Sequence, residues 1–290
     1  MFISTDLQPF KPYSLNLHGR LVTIDRPWVM GIINVTPDSF FPDSRVNDLE
    51  QLERRVRQML DDGADVIDVG ACSTRPGAET VTEDEELRRL QWALPVVRRL
   101  LPEHVLLSVD TFRARVAASA VEQWGAQIVN DISGATLDPD MERTLARLQV
   151  PVVAMHMRGT PATMQQLTDY DNVTAQVLEW LARRVDHMHQ LGVADVIADP
   201  GFGFAKTVEQ NYELLAHLDV FHALQVPLLV GVSRKSMVMA PLGCDAAHAL
   251  GGTTVLHTAA LLAGAHMVRV HDVRAAVEAR TLCMMIMENG

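Results

Sequence analysis

Cysteine is scarce in this chain of 290 residues: Cys72, Cys244 and Cys283 are the only three. Their number is odd and their spacing wide, so they suggest neither a disulfide framework nor a CxxC zinc pattern. A reducing compartment is the expected setting. Basic runs are missing as well. The formal charge is −11, whereas a nucleic-acid binder would show a basic face. "RRVRQ" at Arg54 and "RRL" at Arg88 read as helix faces diluted by acids. No run reaches the ~18 apolar residues that a membrane span requires. The N-terminal "MFISTDLQPF" has no positive segment followed by an apolar one, so no secretory signal is expected. A zinc site is not expected either. His187, His189, His217, His222, His248 and His257 fall in helical segments, and no pair shows HExxH spacing. These absences argue against nucleic-acid and membrane partners and for a cytoplasmic protein.

Apolar residues make up 48% of the chain and charged residues 21%, the balance of a folded protein with a sizeable core. Eight short runs, rich in β-branched residues and apolar on both faces, recur along it. They are "WVMGII" from Trp28, "DVIDVG" from Asp65, "VLLSV" from Val105, "AQIVN" from Ala126, "VPVVAM" from Val150, "DVIADP" from Asp195, "VPLLVGV" from Val226 and "AHMVRV" from Ala265. Such runs suit strands of a parallel sheet covered on both sides. Amphipathic segments lie between them. "TEDEELRRL" places Thr82 before an acidic first turn, a good helix start. Eight strands alternating with helices predict an α/β fold of the (β/α)8 TIM barrel type. An open doubly wound sheet is the alternative, but the first strand leads into "NVTPDSF" instead of a GxGxxG turn. No linker divides the chain, so residues 1–290 are expected to form a single domain. Residues 1–27 form an N-terminal extension whose "LNLHGRLVTI" reads as a hairpin lying over the bottom of the barrel.

Chemistry in such a barrel collects at the C-terminal strand ends. Here those ends carry Asn34, Gly70 followed by "ACSTRPGAE", Asp110 with Thr111, Asn130 with Asp131, His156, Asp199, Ser233–Lys235, and Arg269 with His271. One polar residue at a strand end simply starts a turn; polar groups at all eight ends converge on one mouth. Arg75, Lys235, Arg269 and His271 are cationic donors that suit phosphate. Asp110, Asn130 and Asp199 suit a flat heterocycle with amino and carbonyl edges. A ring bearing a phosphate or pyrophosphate matches both halves. His156 reads as a structural residue, and the methionine stripe of "TLCMMIMENG" as core packing or a subunit contact.

The blocks "GIINVTPDSF", "GADVIDVGACSTRPGAE", "SVDTFRARVA", "IVNDISGA", "MHMRGTP", "IADPGFGFAK", "VGVSRKSM" and "VRVHDV" occur in that order between about residues 28 and 275. In these blocks the chain resembles the dihydropteroate synthase family. The resemblance implies a Mg2+-dependent transferase. It condenses 6-hydroxymethyl-7,8-dihydropterin pyrophosphate with para-aminobenzoate, by a dissociative substitution, to 7,8-dihydropteroate and pyrophosphate in folate synthesis. It implies a homodimer and a sulfonamide target. Carried over by position, Asp110, Asn130, Asp199 and Lys235 are the catalytic, pterin-holding residues, and Ile132, Met155, Phe204 and Gly231 line the pterin slot. Thr74, Arg75, Arg269 and His271 bind pyrophosphate. Phe40, Pro76 and Ser236 border the para-aminobenzoate pocket, and Asn34 contributes to the Mg2+ site. The loop after Asn34 acts as a lid that completes the second pocket once the first substrate is bound.

Two departures stand out. The family pattern "SFSDGG" is "SFFPDSR" here, which leaves open whether Asp38 or Asp43 assists the metal. "GGESTRPG" is "GACSTRPG", so Cys72 replaces a glutamate. Both changes flank the para-aminobenzoate pocket, so sulfonamide affinity is expected to depart from the family range. Two other readings share the fold: a methyltetrahydrofolate–corrinoid methyltransferase, and a degenerate copy that binds pterin without catalysis. The first would lack the "TPDSF" and "STRPG" segments, and the second would have lost some of the residues named above.

Overall fold

The computed structural model describes residues 10–35, 49–72 and 81–289. Among the described residues there are ten strands: β1 Tyr13–Leu17, β2 Arg20–Ile24, β3 Trp28–Asn34, β4 Val66–Gly70, β5 Leu106–Asp110, β6 Ile128–Asp131, β7 Val152–Met155, β8 Val196–Asp199, β9 Leu229–Val230 and β10 Met267–Val270. The helices are α1 Leu49–Asp61, α2 Glu83–Leu100, α3 Ala114–Glu122, α4 Met141–Leu148, α5 Val173–Gln190, α6 Val208–Ala216, α7 Ser236–Leu242, α8 Leu250–Leu262 and α9 Val273–Asn289. Strands β3 to β10 pair in parallel in the order β8-β7-β6-β5-β4-β3-β10-β9. A bridge from Ala198 to Leu228 joins the two ends, so the sheet closes into the expected TIM barrel. Strand β9 is short because Pro227 and Gly231 bracket it.

The side-chain period of two sorts each strand into an inward and an outward set. Outward residues join the helices in the main core. Helix α1, for example, turns Leu52, Val56 and Met59 to the sheet. Inward residues build the barrel interior in layers. The lowest layer is Met30, Val66, Leu106, Ile128, Val153, Ile197, Leu229 and Met267, and Leu15, Leu17 and Ile24 of the β1–β2 hairpin plug it from below. The hairpin thus lies at the bottom of the barrel, as its sequence suggests. Two residues further along the strands the interior turns polar: Asp68, Ser108, Asn130, Asp199 and Arg269 occupy the next inward positions.

Helix starts follow their sequence signals. The Thr82 hydroxyl accepts from Glu85 N–H at 3.3 Å, and Thr207 and Gln210 close a capping box at α6. Helix α6 ends at His217, whose backbone leaves the helical region, and the chain continues as a 3-10 turn at Leu218–Leu224. Helix α9 is an addition to the helices expected from the sequence. Its Arg280 donates to Asp65 Oδ2 at 2.7 Å, and the same oxygen accepts from Val29 N–H at 2.8 Å. This ties the last helix to the first barrel strand.

Candidate active site

A cavity of about 320 Å3 opens at the C-terminal mouth of the barrel. Asn34, Asp110, Asn130, Ile132, Met155, Asp199, Phe204, Gly231, Lys235, Ser236, Arg269 and His271 all line it. Every site residue expected from the sequence and described in the structure is therefore brought to one place. Phe40, Thr74, Arg75 and Pro76 lie outside the described residues, as do Asp38 and Asp43.

The floor is a web of charge. Arg269 Nε donates to Asp68 Oδ2 at 2.7 Å, and its Nη2 donates to Asp110 Oδ2 at 2.7 Å. Asn130 Nδ2 donates to the same Asp68 oxygen at 3.0 Å. Burial pushes the Asp110 carboxyl up to about 7 while Arg269 opposes the rise. The Arg269 guanidinium is held above its ordinary range. Burial works against that charge, but Asp68 and Asp110 outweigh it.

Asp199 and Lys235 form the opposite wall. Burial raises the Asp199 carboxyl, and the Lys235 charge resists it. Burial lowers the Lys235 ammonium to about 8, with Asp199 resisting. Lys235 Nζ donates to Phe202 O at 2.6 Å and stands 4.8 Å from the centre of the Phe204 ring. Asp199 Oδ1 accepts from Gly201 N–H at 2.7 Å. Only glycine serves at 201: its φ is +74°, and a Cβ there would lie 2.0 Å from His156 O. Lys206 underpins this loop, donating to Gly201 O at 2.9 Å and Phe204 O at 3.0 Å and contacting His156 Nδ1 at 3.1 Å. Burial lowers its ammonium to about 7.

His271 differs from the sequence reading. It counts there among the cations, but burial and the nearby Arg269 pull its imidazole down to about 3, so it is neutral at pH 7. Ser233 Oγ lies 3.0 Å from its Nδ1 and accepts from its backbone N–H at 3.1 Å. A neutral ring that accepts the Ser233 hydroxyl proton at Nδ1 would carry its own N–H on Nε2 as a donor. Burial, helped by Lys206, also holds His156 neutral, and the ring packs edge-on against Trp180. This agrees with the structural role read for it.

Sequence reasoning misses Asp68, which lies beneath the cavity, and Met164, Gln165 and Met239, which line it. A signal for Asp68 exists, since an acid at an inward position of an otherwise apolar strand needs a buried partner. Arg234 reaches the lining too, but its guanidinium is bound bidentately by Asp272 at 2.8 Å. Cys72 also lines the cavity, its thiol pushed up by burial and by Glu86. A separate cavity of about 360 Å3 lies between His156, Arg158 and α5. Its arginines are engaged: Arg183 with Glu179, Arg184 with Glu142, and Arg158 over the Tyr170 ring.

Comparison with known proteins agrees with this geometry. The family model described as "Pterin binding enzyme" matches residues 30–271. A dihydropteroate synthase of Synechocystis sp. is 44% identical over 254 residues, 86% of each chain. Among solved structures, the Yersinia pestis dihydropteroate synthase in a sulfonamide drug complex superimposes with a TM-score of 0.90 at 37% identity, covering 95% of this chain and 100% of that one. The Thermus thermophilus dihydropteroate synthase in complex with 4-aminobenzoate gives 0.83 at 38% identity, covering 94% and 100%. The chain belongs to the dihydropteroate synthase family of pterin-binding enzymes.

Proposed function

We propose that the cavity binds 6-hydroxymethyl-7,8-dihydropterin pyrophosphate and exchanges its pyrophosphate for the amine of para-aminobenzoate, giving 7,8-dihydropteroate. The observation that carries this reading is the meeting of two kinds of group in one cavity. Asp110, Asn130, Asp199 and Lys235 supply donors and acceptors for the edge of an amino-pyrimidinone ring, and Arg269 and His271 supply donors for an anion. Carboxylates that burial has raised recognise the ring's N–H groups without the screening that water would impose. Ile132, Met155 and Phe204 give the ring apolar faces.

In this mechanism Asp199 accepts from the 2-amino edge and Lys235 donates to the ring's acceptors, both fixed by the Gly201–Phe204 loop. Arg269 and the neutral His271 donate to the departing pyrophosphate and stabilise its charge as the C–O bond breaks. Ser236, at the start of α7, borders the second-substrate subsite. The Thermus relative's complex with 4-aminobenzoate supports para-aminobenzoate as the second substrate.

The fit for Mg2+ rests on oxygen chemistry. Mg2+ takes one or two protein oxygens and fills its remaining positions with water and substrate phosphates. Asn34 ends β3 at the cavity lining with one such amide oxygen. Asn34 would help hold Mg2+ there, and the ion would supply charge neutralisation for the leaving pyrophosphate.

We further infer a homodimer and a cytoplasmic setting. Val255 of α8 and Leu282, Met285 and Ile286 of α9 are exposed apolar residues on two helices that pack together. That is a surface suited to a second copy. Among the described residues no helix is long and apolar enough to cross a membrane, and the three cysteines are free.

The test is incubation with the pterin pyrophosphate, Mg2+ and para-aminobenzoate. Equal amounts of pyrophosphate and dihydropteroate are expected. A folded protein that binds pterin and releases neither product would instead be a degenerate copy.

A further inference from the structure

Asp68 lies in the layer under the cavity. It is fully buried and is no part of the cavity lining. One of its oxygens, Oδ2, serves both Arg269 Nε at 2.7 Å and Asn130 Nδ2 at 3.0 Å. Its other oxygen, Oδ1, has no protein partner among the described residues. Both partners of Oδ2 line the cavity. Arg269 is shared with Asp110, which also lines the cavity and is 2.7 Å from Nη2.

We propose that Asp68 is a positioning residue that sets the hydrogen-bond polarity of Asn130 and anchors Arg269 while Asp110 is engaged by ligand. A carboxylate paired with a guanidinium can only accept. The asparagine must therefore turn its NH2 group down to Asp68, which reserves its carbonyl oxygen for a donor on the ligand. An asparagine free to flip would offer either end and would discriminate poorly between donor and acceptor edges. The same contact solves a problem for Arg269. When Asp110 turns to a ring N–H, the guanidinium loses one carboxylate, and Asp68 keeps Nε in place so that the arginine still faces the leaving group. Neighbouring strands make the arrangement possible. Asp68 pairs in register with Ser108, and Ser108 with Ile128, so Asn130, two residues beyond Ile128 on β6, stands one step nearer the cavity than Asp68.

This inference rests on the reading that the cavity holds the pterin. Titration of wild-type protein with the pterin pyrophosphate tests that reading first, and failure there would sink the reading itself. If wild type binds, three variants decide the role of Asp68. Asp68→Asn is expected to weaken pterin binding about 10- to 100-fold, as befits the loss of a charged, buried hydrogen-bond acceptor. The KM for para-aminobenzoate should stay within about twofold. Asn130→Asp places two carboxylates together and should weaken pterin binding by a comparable factor. In the exchange variant Asp68→Asn/Asn130→Asp, the amide donates upward and position 130 still presents an acceptor oxygen. It should bind pterin at least about tenfold more tightly than Asn130→Asp alone, a coupling that adjacent groups show and independent ones do not. Unchanged pterin affinity in Asp68→Asn, or equal losses for both substrates, would overturn the proposal. If Asp68→Asn does not fold, comparison of the exchange variant with Asn130→Asp carries the test, and no recovery refutes it.

Discussion

Gly201→Ala should damage the site and the fold together, and its size can be worked from the structure. Two costs add. At φ +74° an alanine occupies the left-handed region, worth ~1–2 kcal/mol. Its Cβ would also lie 2.0 Å from His156 O, where real contacts stay beyond 3.0 Å. The backbone must move by about an ångström or more to relieve this clash. Movement breaks the 2.7 Å bond from Gly201 N–H to Asp199, a hydrogen bond to a charged group worth ~1.5–3 kcal/mol. The total is about 2.5–5 kcal/mol. Gly192→Ala is the internal control. Its φ is +84°, but nothing lies within 4 Å of its added Cβ, so only the ~1–2 kcal/mol of backbone strain applies. Urea unfolding of both variants measures the difference, and calorimetric titration measures pterin affinity. Gly201→Ala should bind pterin about tenfold or more weakly through its displaced Asp199, while Gly192→Ala binds as wild type does. Equal stability losses in the two variants, with pterin affinity intact in both, would refute the reasoning.

Other consequences are as concrete. Lys206 has its ammonium lowered from 10.5 to about 7 in the folded protein. The unfolded chain therefore binds the proton first as pH falls. Wild type should lose stability relative to Lys206→Met between about pH 10 and 7, by up to about 1.4 kcal/mol per pH unit, with no further change below 7; urea unfolding at several pH values checks this. Arg280→Ala removes one of the two arginine partners of the part-buried Asp65, leaving Arg26 in place, and should cost about 1.5–3 kcal/mol of stability, with kcat and KM of the folded protein unchanged. If the proposed homodimer forms through this face, Met285→Asp on the exposed side of α9 should shift sedimentation from dimer to monomer; an unchanged sedimentation coefficient would refute this contact.

The barrel is legible because each strand is buried on both faces, which writes β4 as "VIDVG" and β7 as "VVAM" with little polar interruption. The strand ends are legible for the opposite reason: Asp110, Asn130, Asp199 and Arg269 interrupt apolar runs where the next inward position meets the cavity. Helix α9 is not, since its buried Ala276, Ala279, Arg280 and Cys283 are small or polar and lend it little amphipathic contrast. Asp68 is hidden by its place two residues before a strand end, where only the inward–outward register reveals that it faces the interior. The neutrality of His271 cannot be read either, because composition does not show burial, and burial sets the charge of an imidazole.

Asp199 and Lys235 are the residues proposed to grip the pterin in the barrel mouth. Calorimetric titration of the pterin pyrophosphate into wild type, Asp199→Asn and Lys235→Met measures this. Each substitution removes a hydrogen bond involving a charged, buried group, so the affinity should fall about 10- to 100-fold in either variant while both remain folded. Unaltered affinity in both variants would contradict the account and move the pterin out of this cavity.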